Sequence, residues 1–146
     1  MPDSGGAGRF RGGLAVQRAW RTIIPDTLLQ VRSDRQVHRP YGLNGGLPGT
    51  PSSNRLLRTD GREERPAPMF GTVLQRGDVY EHRMPGGGGW GDPLDRDPAA
   101  VALDVLDEKV SAAAARADYG VVVAGDGSVD GDSTAALRRS RRNGRD

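Results

Sequence analysis

Cysteine is absent from this chain of 146 residues, which excludes a disulfide framework, a thiolate metal site and a cysteine nucleophile. Imidazole is almost as scarce. His38 and His82 are the only histidines, each near arginines and without a carboxylate at ligand spacing, so no metal site is expected here. No apolar run approaches the length that spans a bilayer, and the first residues lack the basic-then-apolar pattern of a secretory signal. A soluble cytoplasmic protein without a membrane partner is the resulting expectation. A strong charge of one sign is lacking too. The net charge is only +2, and bases alternate with acids except in Arg138-Arg139-Ser140-Arg141-Arg142, which leaves no broad electrostatic footprint for nucleic acid. Hydrophobic residues make up 35%, low for a chain that must build its own core.

What the chain has in excess is glycine: 22 residues, with ten prolines, make it loop-rich. Two dense segments stand out, Asp3-Ser4-Gly5-Gly6-Ala7-Gly8-Arg9-Phe10-Arg11-Gly12-Gly13 and Pro85-Gly86-Gly87-Gly88-Gly89-Trp90-Gly91-Asp92-Pro93. Glycine runs lose the most entropy on ordering, so they belong where the backbone must approach something closely. Both segments also hold charged or aromatic residues, the mark of a binding surface more than of a linker. Pro40 to Pro51 forms a third glycine loop that forbids regular structure.

Between these loops, Leu14 to Arg21 reads as a strand with Leu14, Val16 and Trp20 on one side. The Pro25-Asp26 turn then predicts that Thr27 to Arg32 returns as its antiparallel hairpin partner. A further strand is expected near residues 79–84. Asp97-Pro98 supplies an N-cap and a first-turn proline for a helix from Ala99 through Lys109. Ser111 caps a second helix, Ala112 to Asp118, closed by Gly120, and Val121 to Val123 follows as a last strand. The expected fold class is α+β: glycine-loop-rich antiparallel β segments, then two short C-terminal helices and a last strand, in an incomplete domain over residues 1–124. Residues 125–146 hold almost no apolar side chains and are expected to be a disordered basic tail.

The ordered set formed by the two glycine segments, Pro40-Tyr41-Gly42-Leu43-Asn44-Gly45-Gly46-Leu47-Pro48-Gly49, Arg96-Asp97-Pro98 and Ala115-Arg116-Ala117-Asp118-Tyr119-Gly120-Val121-Val122 resembles one family pattern. It is similar to the carboxy-terminal part of the hydantoinase B/oxoprolinase family, the B-type subunit of ATP-dependent 5-oxoprolinases, N-methylhydantoinases and related ketone carboxylases. The resemblance covers residues 3 to about 123. It implies a fragment of a longer B-type subunit. An A-type partner would bind ATP and phosphorylate the carbonyl of a small cyclic amide, and the B-type part would complete ring opening. Metal ligands, where the family uses a metal, would lie in the missing part, and this chain alone is expected to be inactive. Two stretches depart from the pattern: Asp107-Glu108-Lys109 stands where the family usually has a glycine between helices, and Arg62 to Pro68 is unlike it.

The candidate substrate- or phosphate-binding groups are Asp3, Ser4, Gly5, Gly6, Arg9 and Arg11 in the first segment and Gly87, Gly88 and Asp92 in the second. Glycine amides can nest an anion and arginine supplies a bidentate fork. The plainer reading makes the first segment a tight loop whose arginines pair with Asp3 or other acids. The second is then a turn with Trp90 as packing anchor and Asp92 as cap. The catalytic residues are not identified. A reading of a different class is a nonspecific nucleic-acid binder, using Arg9-Phe10-Arg11-Gly12-Gly13 and the basic tail. A third is a non-functional remnant with open sheet edges.

Overall fold

The computed structural model describes residues 1–144. Six strands precede three helices: β1 (Gln17–Arg21), β2 (Thr27–Arg32), β3 (Ser53–Leu57), β4 (Glu63–Glu64), β5 (Met69–Leu74), β6 (Val79–Arg83), then α1 (Pro98–Leu106), α2 (Ala112–Tyr119) and α3 (Gly131–Asn143). A 3-10 turn, Pro93–Asp95, links the strand region to α1. Strands β1, β6, β3 and β4 form one sheet in that order, and β2 with β5 forms a separate ribbon, all pairs antiparallel. The α+β class expected from the sequence is the one observed.

The hairpin between the first two strands is not formed. β1 pairs with β6 from Gln17↔Arg83 to Arg21↔Val79, and β2 pairs with β5 from Thr27↔Leu74 to Arg32↔Met69. The chain leaves β1 where the Thr22 amide donates to the Asp78 carbonyl and the Gly77 amide to the Thr22 carbonyl, which ties it to the turn between β5 and β6. That tether sends the following residues to the other sheet, and the pairing becomes non-local despite the turn signal. Leu56, Leu74 and Tyr80, with Leu29, Val31 and Phe70 against them, make the core between ribbon and sheet. Tyr80 stacks on Trp20 at 5.5 Å and donates to Asn54 Oδ1 at 2.9 Å.

Asp78 fastens the β5–β6 turn. Its carboxylate accepts from the amides of Thr59 and Gln75 and from the Arg58 guanidinium at 3.0 Å, while Arg58 also reaches Glu64 at 2.8 Å. Burial opposes ionisation of Asp78, but these donors outweigh it and hold the carboxyl below its ordinary value.

A second core lies among the helices, where Ala7, Val101, Val110, Ala115, Tyr119 and Val121 are buried together. The capping signals hold. Asp97 accepts from the Ala99 amide with Pro98 in the first turn, Ser111 accepts from the Ala114 amide, and Gly120 closes α2 in the left-handed conformation. Burial pushes the Tyr119 phenol up to about 12, and among the described residues its hydroxyl has no hydrogen-bond partner. Val121 to Val123 is not a strand. Val121 is buried under α2, and only Val123 bridges, to Val129 across a tight turn.

The tail expected to be disordered is helical from Gly131 to Asn143; Arg145 and Asp146 lie outside the described residues. Asp130 accepts from Ser133 at its start, Thr134 is buried and accepts from the Val122 amide, and arginines replace apolar side chains as the docking groups. Arg138 donates to the Tyr119 and Arg96 carbonyls and Arg142 to the Leu94 carbonyl and to Asp95.

Between α1 and α2, Glu108 has a φ of 55°, the left-handed region that favours glycine. Glu108 lies within Asp107-Glu108-Lys109, the stretch where the resemblance leads one to expect a glycine. Replacing Glu108 by glycine is expected to stabilise the protein by about 0.5–1 kcal/mol, read as a raised melting temperature.

Candidate functional site

The β1–β6 ladder continues beyond Gln17↔Arg83 into the glycine segments. The Met84 amide donates to the Val16 carbonyl, Gly87 to Gly13 at 2.8 Å, and Gly6 to Gly87 at 2.8 Å. Phe10 and Trp90 exchange a pair of hydrogen bonds, both 2.9 Å. The loop at 40–51 closes on the same residues: Leu43 donates to Gly89, Gly89 to Leu47, Leu47 to Ala7 and Gly86 to Thr50. Three glycine-rich segments thus form one interlocked layer. Their separation is set by backbone contact, since a methyl group on Gly12 would overlap the Gly87 carbonyl and one on Gly88 the Tyr41 carbonyl.

The layer brings the candidate residues together but uses most of them internally. The Asp3 amide donates to the Lys109 carbonyl and its carboxylate accepts from the Ser111 amide at 2.7 Å, which stitches the N-terminus to the α1–α2 connection. Ser4 is buried, donating to the Met1 carbonyl and accepting from the Ala15 amide. Gly5 packs against the Gly12 backbone, Gly6 and Gly87 bond to each other, and Gly88 lies on Tyr41. Asp92 caps the 3-10 turn by accepting from the Leu94 amide at 2.8 Å.

Arg11 faces inward. Its Nε lies 3.1 Å from Asp104, which also receives Arg96 at 2.8 Å, and all three side chains are largely buried. Two guanidinium groups on one carboxylate, reached from the first glycine segment and from the 96–97 connection, fasten α1 to the layer. Arg9 alone of the candidate cations points outward. Its guanidinium lies over Phe10 at 5.8 Å, and among the described residues it forms no ion pair.

Two neighbours of Arg9 are candidate residues that the sequence reading left out of the site. Phe10 is 60% exposed and Trp90, expected to be a packing anchor, is 43% exposed, with ring centroids 5.6 Å apart. Arg9, Phe10 and Trp90 form an exposed edge of an otherwise closed layer. The signal that could have found them is their position: in each segment they follow glycines that lock the backbone and leave the bulky side chain outside. Arg138, Arg141 and Arg142 of α3 are engaged with carbonyls, so three of the four arginines in the basic cluster dock the helix. His82 Nδ1 lies 2.8 Å from Asn54 Oδ1, and burial lowers its pKa, in keeping with a structural imidazole. Among the described residues no group of three His, Asp or Glu side chains is placed to hold a metal, and no helix is long and apolar enough to cross a membrane.

A family model described as hydantoinase B/oxoprolinase matches residues 1–93, which contain the whole glycine layer. The chain belongs to the hydantoinase B/oxoprolinase family. This family member is 36% identical to caprolactamase subunit beta of Pseudomonas jessenii over 94% of its own length and 24% of that subunit. Its fold superimposes on the ATP-dependent caprolactamase of Pseudomonas jessenii with a TM-score of 0.73 at 33% identity, covering 95% of this chain and 25% of that one. Against the nucleotide-free acetone carboxylase structure the TM-score is 0.79 at 29% identity, over 99% of this chain and 24% of the other. The hydantoinase B/oxoprolinase chain therefore spans about a quarter of the length of these relatives.

Proposed function

We propose that this chain is part of the B-type subunit of an ATP-dependent cyclic-amide hydrolase of the 5-oxoprolinase or N-methylhydantoinase type, opening a lactam or hydantoin ring in the cytoplasm with an A-type partner subunit. The observation that carries the reading is the glycine layer: a rigid backbone assembly, within the segment that matches the family, exposing Arg9, Phe10 and Trp90 at one edge. A cyclic amide carbonyl is a poor electrophile, and activating it by phosphorylation produces an anion. A guanidinium fixed on a rigid edge is suited to pair with that anion, and the two rings supply an apolar wall beside it. ATP belongs, in this reading, to the A-type partner. The amides of Gly6, Gly12, Gly86, Gly87 and Gly89 already donate to carbonyls and Arg11 is held by Asp104, so these groups do not make a phosphate cradle.

The test is a graft. The quarter of Pseudomonas jessenii caprolactamase subunit beta that matches this chain is replaced by it, with the rest of that enzyme co-expressed. The grafted enzyme is then assayed for ATP-dependent opening of caprolactam, 5-oxoproline and hydantoin. Ring opening of at least one is expected, with Arg9→Ala lowering kcat/KM by about 10–100-fold, the loss of one charge-assisted hydrogen bond. A graft that folds and opens none of the three sinks the reading.

A further inference from the structure

Apolar side chains crowd one side of the strand region. Trp20, Ile23, Ile24 and Leu28 are 48%, 76%, 62% and 65% exposed, and with Leu29 and Tyr80 they line an open groove of about 570 Å³. Two of the elements that build it end in open backbone. β2 is hydrogen-bonded on one side only, to β5, and β1 is the outer strand of its sheet. A two-stranded ribbon is marginal by itself, and an open edge beside an apolar patch calls for a partner. β2 shows what is missing: Leu29 and Val31 pack inward on the Leu56–Tyr80 core, whereas Leu28 on the opposite face meets no core among the described residues.

The same fold recurs over 99% of this chain in acetone carboxylase and 95% in caprolactamase, yet it accounts for only 24% and 25% of those chains. Some three quarters of each relative lies outside the unit described here. An occupant that is itself polypeptide can cover the groove and hydrogen-bond the free β2 edge together; a small molecule can fill the groove but cannot continue the ribbon.

We infer that this groove is the seat of the rest of a B-type subunit, an apolar stretch of its larger domain lying against Trp20, Ile24 and Leu28. The inference rests on the B-type reading above and assigns the strand side, opposite in role to the Arg9 edge, to assembly.

Leu28→Asp and Ile24→Asp separate the cases. In the isolated 146-residue chain both positions are exposed, and the melting temperature is expected to stay unchanged. In the caprolactamase graft, the same substitutions bury a carboxylate against apolar surface, and soluble yield is expected to fall by ~10-fold or more, with Leu28→Met restoring it. Aspartate variants that fold as well as the unmodified graft overturn the inference, whether or not the graft hydrolyses a lactam. So does an isolated chain that sediments as a dimer and becomes monomeric on Leu28→Asp while the grafts are unaffected, which would assign the groove to a second copy. An unmodified graft that fails to fold overturns the B-type reading itself, and the docking inference with it.

Discussion

Alanine at residue 12 should lower the melting temperature by about 10 °C, equivalent to about 3 kcal/mol, while alanine at residue 13 should change it by a degree or two in either direction. The two glycines are adjacent, carry the same intrinsic propensity and differ only in what surrounds them. A methyl group at Gly12 meets the carbonyl of Gly87 and the neighbouring Gly88 carbonyl, all backbone; at Gly13 nothing lies within 4 Å. Backbone atoms cannot rotate away as a side chain would, so relief at residue 12 requires the 86–89 segment to move. That segment also bonds to residues 6, 13, 43, 47 and 50, and any shift propagates through the layer. At residue 13 the added methyl instead reduces the freedom of the unfolded chain, worth about 0.5 kcal/mol in favour of folding where the native backbone suits alanine. A thermal melt followed by circular dichroism distinguishes the two. Equal shifts would mean that the glycines act by flexibility and that no tight layer exists.

This contrast also marks how far the sequence could be read. The presence of the glycine segments and their kinship were legible, because motif order is a property of the chain. Their contacts were not. A glycine run carries no side chain to betray its neighbour, so close packing of residues 5–13 on 86–91 and an anion-binding nest look alike until the backbone partners are known. Helix ends were legible for the opposite reason: Asp97, Pro98, Ser111 and Gly120 act on residues within five positions of themselves. The Pro25-Asp26 turn misled because strand pairing is decided across the chain, where the ladder from β6 into Gly87 outcompetes the local hairpin. Helix α3 escaped a reading based on apolar content because its anchors are arginines reaching carbonyls up to 48 residues away. Asp130 followed by Ser133 was the local signal available for it. The Arg11–Asp104 pair, 93 residues apart, left no trace in spacing.

That pair carries the second large effect. Asp104→Ala is expected to destabilise the protein by about 3–5 kcal/mol, because it leaves the Arg11 and Arg96 guanidinium groups facing each other, largely buried and without their carboxylate. Arg11→Met should cost less, since Arg96 still answers Asp104 and the apolar stem of residue 11 is kept. Denaturant unfolding of the two single variants and the double variant Arg11→Met/Asp104→Ala gives the coupling directly. A coupling well above the 0.2–1 kcal/mol or so typical of exposed pairs is expected, and it should persist at raised salt because buried charges are poorly screened. The outcome bears on function as well as on stability. If Arg11 fastens α1 to the glycine layer, Arg11→Met in the caprolactamase graft lowers the melting temperature and leaves kcat/KM per folded molecule unchanged, whereas Arg9→Ala does the reverse. An Asp104→Ala variant as stable as the parent, with Arg11→Met impairing catalysis, would move Arg11 from the framework to the binding edge and make the layer's anion site a pair of arginines instead of one.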